Sequence, residues 1–174
     1  MIGPAWCRMM AAYNAEMNRR LYAAADTLTD DARRADGGVF WGSVHGTLSH
    51  LLWGDTTWMS RFDGWEKPPV AQKDSARMIE DWAALKSARA VADERIAAWA
   101  GRLTEDCLAA PLTWFSGASQ REMSLPLWVA VAHFFNHQTH HRGQAHALLT
   151  RAGAATGDTD LPWVVDLPAL GIAM

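Results

Sequence analysis

Cysteine is scarce in this sequence, with Cys7 and Cys107 the two examples in 174 residues. Two thiols cannot build a disulfide framework or a thiolate zinc cluster. No signal-like stretch precedes the first periodic segment, so the expected compartment is the reducing cytoplasm. Basic runs are short as well. None exceeds Arg19-Arg20 or Arg33-Arg34, and 16 Lys and Arg against 19 Asp and Glu leave a formal charge of −3. That balance argues against a binder of phosphate backbones, and no nucleic-acid partner is expected. Long apolar runs are missing too, since Arg, Asp, His or Glu interrupts each before the ~18 residues that a membrane span requires. Internal repeats and low-complexity linkers are also lacking. What remains is 49% hydrophobic and 20% charged, the composition of a globular protein. A chain of this size can bury about 70% of its unfolded surface, so residues 1–174 are expected to form a single domain around one core.

Against this background two residue types are abundant. There are 10 Trp and 7 His, and five of the histidines, His133, His137, His140, His141 and His146, fall in one segment. The apolar spacing around them is helical. Met9, Ala12, Tyr13, Met17, Leu21 and Ala24 recur every three or four residues and predict a first helix from Ala5 to about Leu28. Ser43 is a plausible N-cap for a second helix that runs to about Phe62 and ends before Gly64 and Pro68-Pro69. Asp74 or Ser75 is expected to cap a third helix through Met78, Trp82, Leu85, Ala92, Ile96 and Trp99 to about Leu103. Between Ala110 and Leu125 the period shortens, and Leu112–Phe115 and Arg121–Ser124 flank a Ser-Gly-Ala-Ser turn that suggests a short hairpin. Ser124 as cap and Pro126 in the first turn then open a fourth helix to Gly153. The tail from Gly157 to Met174 reads as a turn-rich strap. The expected fold is all-α, a four-helix bundle with a short hairpin or irregular segment before the fourth helix.

His137 and His141 are four residues apart, so their rings share one face of the fourth helix and can reach one ion. His133 lies on the same slowly drifting row and is held in reserve, while His140 points about 100° away. On the second helix, His50 sits beside Leu48 and the Leu51-Leu52-Trp53 run and should face the bundle, whereas His45 lies in the first turn. His50 is therefore the better third ligand, although taken on its own it reads more readily as a buried, hydrogen-bonded imidazole than as a ligand. Three neutral imidazoles favour Zn²⁺, Ni²⁺, Fe²⁺ or Cu²⁺ over Mg²⁺ or Ca²⁺ and leave a coordination position open for water, substrate or a thiolate cofactor.

His137-Gln-Thr-His-His-Arg-Gly-Gln144, preceded by His133-Phe-Phe-Asn136, resembles the fourth-helix signature of the DinB/YfiT-like family of metal-dependent enzymes. Gly42–His50 followed by Asp55, Trp58, Arg61 and Phe62 is similar to the family's second helix, and Tyr13-Asn14 with Asn18 and Leu21 to its first. Trp114–Gly117 and Asp158–Trp163 resemble its connecting segment and tail. The third helix is the least similar stretch. The resemblance implies a dimeric four-helix bundle whose divalent metal is held by one His of the second helix and two of the fourth, here His50, His137 and His141. Members of the wider superfamily include S-transferases and isomerases that use a low-molecular-weight thiol, and many have no assigned reaction. The family's name carries no implication of DNA binding.

The leading expectation is thus a cytoplasmic, homodimeric metalloenzyme, a hydrolase or thiol transferase, acting on a small molecule. Two readings compete with it. A noncatalytic metal or small-molecule binding stress-response module would close its site with a fourth ligand from His133 or His140. Alternatively, the histidines line a dimer interface and hold no metal. Asp55 is expected at the helix surface or behind the ligands, paired with Arg142, and Glu16 is a second carboxylate candidate behind the ligands. Asn136 and Gln144 are candidates to bond a bound water or a neighbouring loop, Trp53 and Trp128 to wall a pocket, and Gly143 to allow close packing. Cys7 can be exposed on the first helix but has no nearby His or Lys to activate it, and both cysteines read as non-catalytic.

Overall fold

The structure is a computed structural model that describes residues 2–117 and 119–172. Four long helices, α1 (Pro4–Asp26), α3 (Val44–Phe62), α4 (Trp82–Arg102) and α6 (Leu127–Arg151), form an all-α bundle. Shorter elements join them: α2 (Asp30–Arg34), α5 (Glu105–Ala109), the strands β1 (Pro111–Ser116) and β2 (Arg121–Pro126), and α7 (Leu161–Val164). Each long helix packs on two others in the cyclic order α1, α4, α3, α6. Among the described residues, no helix is long and apolar enough to cross a membrane.

The helix starts follow local chemistry. Ser43 caps α3 as expected, its hydroxyl accepting from Gly46 N at 3.0 Å. The third long helix starts later than the sequence suggested. Asp81 caps it by accepting from Ala84 N at 2.7 Å, and Gln72–Arg77 is a separate 3-10 turn packed against α3. Asp74 and Ser75 are therefore not its caps, because a carboxylate nearer the apolar stripe satisfies its first-turn amides. Ser124 does not cap α6 either. It belongs to β2, where it meets Thr113 Oγ1 at 3.1 Å, and the chain enters α6 directly through Pro126.

The expected hairpin is present as an antiparallel pair with Trp114 opposite Met123; Ala118 of its predicted turn lies outside the described residues. Leu112, Trp114 and Ser116 alternate inward, and β1 lies over α3 and α6. The tail straps α1, with Tyr13 Oη donating to Thr159 O at 2.6 Å. Residues 173–174 of the predicted tail lie outside the described range.

Leu21, Leu48, Met59, Leu85, Ile96, Phe134, Phe135 and Leu149 fill the core. Polar residues cross it as a layer. On α1 the buried face carries Asn14 and Asn18, while Met9, Ala12 and Tyr13 of the predicted stripe are half-buried. Asn14 and Asn18 donate to the Asp93 carboxylate, each at 2.9 Å. Arg89 pairs with Asp55 at 2.6 Å and with Asp93 at 2.8 Å. Gln138 donates to Asp55 at 3.0 Å, and Arg142 donates to Asn14 and Thr139. Asp55 is thus fully buried rather than at the surface, and its partner is Arg89, not Arg142. A charge inside the bundle needs an opposite charge beside it, and the Arg89 side chain supplies it from the neighbouring helix.

Candidate metal centre

α3 presents His50, and α6 presents His137 and His141 one turn apart. The three rings converge, with one donor nitrogen from each within 4.8 Å of the others. Nε2 of His50 lies 3.4 Å from Nε2 of His137. Two nitrogens bound at about 2.05 Å to a tetrahedral ion stand about 3.3 Å apart, so this spacing suits shared coordination.

Burial keeps all three rings neutral. It pushes the pKa of His50 down to about 3 and that of His137 down to about 4, with smaller contributions from the neighbouring histidines, and it lowers that of His141 as well. A neutral imidazole is the form that binds a metal. Two rings also have their second nitrogen engaged. His141 Nδ1 lies 2.8 Å from the amide oxygen of Gln144, an acceptor that places the proton on Nδ1 and leaves Nε2 free. His50 Nδ1 lies 2.8 Å from Ser75 Oγ, and the turn carrying Ser75 is tied to α3 where Ser49 Oγ donates to Ser75 O at 2.8 Å. Trp41 stacks on His50 with centroids 3.8 Å apart and planes 19° apart, and Trp53 lies nearly parallel to it at 5.7 Å.

His137 is held differently. Its Nδ1 is buried without a hydrogen-bond partner among the described residues, and the ring packs on the bare backbone of Gly54. A Cβ at position 54 would stand 2.6 Å from His137 Cε1, closer than side chains tolerate. The facing Nε2 atoms of His50 and His137, the Nδ1 atoms of His50 and His141 engaged on the far side of their rings, and the all-imidazole donor set together fit a borderline divalent ion. A cavity of about 750 Å³ opens beside His137, with Trp53, Trp58, Arg61 and Trp114 in its walls.

A model of the DinB family matches residues 4–169, most of the chain. The chain belongs to the DinB family. No functionally curated protein matches it. Among solved structures, this DinB-family chain is similar to a DinB-like protein from Bacillus cereus ATCC 10987, at 19% identity and a TM-score of 0.51, over 86% of this chain and 94% of that one. At that identity the likeness is one of fold.

Several residues that the sequence singled out lie elsewhere in the DinB-family bundle. His133 is exposed at the cavity rim beside Trp58, and His140 is exposed with Nε2 3.3 Å from Gln144. Neither joins the cluster of three. Asp55 turns toward Arg89, and Glu16 pairs with Arg19 and Arg20 on the surface. Asn136 is exposed. Trp53 does wall the cavity, whereas Trp128 packs against the apolar core. Gly143 is exposed and not needed for close packing, since among the described residues a Cβ there would meet no neighbouring atom within 4 Å. Cys7 is wholly buried, and burial raises its thiol pKa to about 11. His45 Nε2 donates to Ile79 O at 2.9 Å, outside the site.

The sequence reading missed Gly54, Ser75 and Trp41. A signal existed for Gly54, which lies four residues after His50 and therefore on the ligand's own helix face. Ser75 and Trp41 come from segments without periodicity, so nothing local marked them.

Proposed function

We propose that this DinB-family protein is a metal-dependent enzyme in which His50, His137 and His141 hold a divalent transition ion, zinc, nickel or iron, with one coordination position open. The observation that carries the reading is the convergence of three neutral imidazoles whose donor atoms lie within 4.8 Å of one another. An ion in such a set lowers the pKa of a bound water or low-molecular-weight thiol and so supplies a nucleophile near neutral pH, which suits hydrolysis or thiol transfer to a small electrophile.

The chain's own residues prepare that chemistry. Gln144 accepts the Nδ1 proton of His141, and Ser75 engages Nδ1 of His50 on the side of the ring away from the donor atom. Trp41 and Trp53 shield the His50 ring, and His137 lies at the cavity through which a substrate would approach. A purely structural site would be closed by a fourth protein ligand, and among the described residues no further His, Cys, Asp or Glu completes this group. That favours the enzyme over a noncatalytic binding module. The test is the metal content, by plasma mass spectrometry, of protein purified without a histidine tag. We expect one ion per chain, lost in His137→Ala. Metal-free protein whose melting temperature ignores added Zn²⁺ contradicts the reading.

A further inference from the structure

Arg61 stands in the wall of the cavity beside His137, and no carboxylate among the described residues forms an ion pair with it. Its guanidinium lies 4.4 Å from the ring centroid of Trp58 and 5.5 Å from that of Trp114. The side chain is half-buried, burial lowers its pKa, and His133 is the titratable neighbour it acts on across the cavity. Other arginines of the bundle are satisfied differently: Arg33, Arg34, Arg89 and Arg102 each reach an acidic side chain. Lys73 adds a second cation at the exposed rim, and no Asp or Glu is among the described residues lining this cavity. In a chain of formal charge −3, that is a locally positive recess.

The remaining wall is aromatic and apolar. Trp53, Trp58 and Trp114 border it, and Thr57, another lining residue, has a buried hydroxyl with no partner among the described residues. A guanidinium stacked on an indole offers its N–H edges as a planar fork that matches a carboxylate. Arg61 lies seven residues beyond Gly54, about 10 Å of helix rise, and Gly54 is where the His137 ring rests. The interval accommodates one aromatic ring and a short linker.

We propose that this cavity binds an organic carboxylate with an aromatic or planar apolar body, its carboxylate on Arg61 and its body against the wall formed by Trp53, Trp58 and Trp114, directed toward the three histidines. The inference deepens the metal-centre reading and rests on it, because the ion would act on the end of the molecule remote from Arg61. Arg61 is then a substrate-binding residue that selects for negative charge.

Calorimetric titration of the zinc-loaded full chain with 3-phenylpropionate and with its neutral amide tests this. The expected result is a preference for the acid of at least about tenfold, as a charge-assisted bidentate contact provides. Arg61→Gln should abolish the preference and Arg61→Lys should keep part of it, while zinc affinity stays unchanged in both. Equal binding of acid and amide, or binding of neither, overturns the proposal. So does a preference that survives in Arg61→Gln, since the carboxylate would then sit on the ion. A parallel zinc titration of the unaltered protein separates the two readings: absence of zinc binding there contradicts the metal centre, whereas the Arg61-dependent preference is read in zinc-free protein as well.

Discussion

The position of the His137 ring depends on an atom that is absent. Gly54 has no Cβ, and any side chain there would meet the imidazole at 2.6 Å. Helix propensity alone makes Ala about 1 kcal/mol better than Gly in a helix interior, so Gly54→Ala gives opposite expectations for a merely structural glycine and for one that seats a ligand. We expect the substitution to leave the helical circular dichroism intact and to lower zinc affinity about tenfold or more, the range typical of losing a group that orients a ligand. Unchanged zinc affinity in calorimetry would show that the ring does not need this seat. The same residue marks what could be read in advance. His137 and His141 were legible because their spacing of four states their common face, and His50 because apolar neighbours showed which way it points. Gly54 required knowing that the facing ring would come from α6, a fact of tertiary packing.

At the scale of the elements, the helices are held by more than their apolar stripes. Leu85, Ala92, Ile96 and Trp99 of α4 were legible from their period, yet Arg89 and Asp93 share that buried face. Polar residues break a hydrophobic pattern, and a single helix gives no sign that its neighbours carry partners for them. Asp55 is fully buried between Arg89 and Gln138. Removing Asp55 takes away one of the two carboxylates that balance Arg89 and the acceptor of Gln138, and breaking a buried pair costs up to about 3–5 kcal/mol. Asp55→Ala is therefore expected to destabilise the fold by about that amount in urea unfolding, and a loss under about 1 kcal/mol would contradict the role of this layer. Boundaries were less legible than the helices themselves. Asp81 and Asp74 are both capable caps, and only the 3-10 turn docked on α3 decides between them.

For the whole molecule, the gathering of three neutral histidines sets a pH dependence. The unfolded rings titrate near about 6.5, while burial holds His50 at about 3 and His137 at about 4 and lowers His141. Below pH 6.5 the unfolded chain therefore binds more protons than the folded one. Stability is full above that value and is lost as the pH falls toward the folded pKa values. With chelator present, the urea midpoint should fall between pH 7 and pH 5, and His50→Gln should flatten that slope; an equal slope in the two proteins would show that these rings do not carry it. The rest of the assembly was only partly legible. The bundle and the hairpin could be expected, but the loops that bring Trp41 and Ser75 to His50 have no periodic signature and are placed by the packing of the whole chain. The central claim, that His50, His137 and His141 share one ion, is tested most directly by anomalous diffraction at the zinc edge from crystals grown with zinc. The account predicts one strong peak at about 2.0–2.1 Å from a nitrogen of each of the three rings, with a position left over for solvent. A saturating zinc concentration that gives no peak there, or rings that turn away from one another, would contradict it.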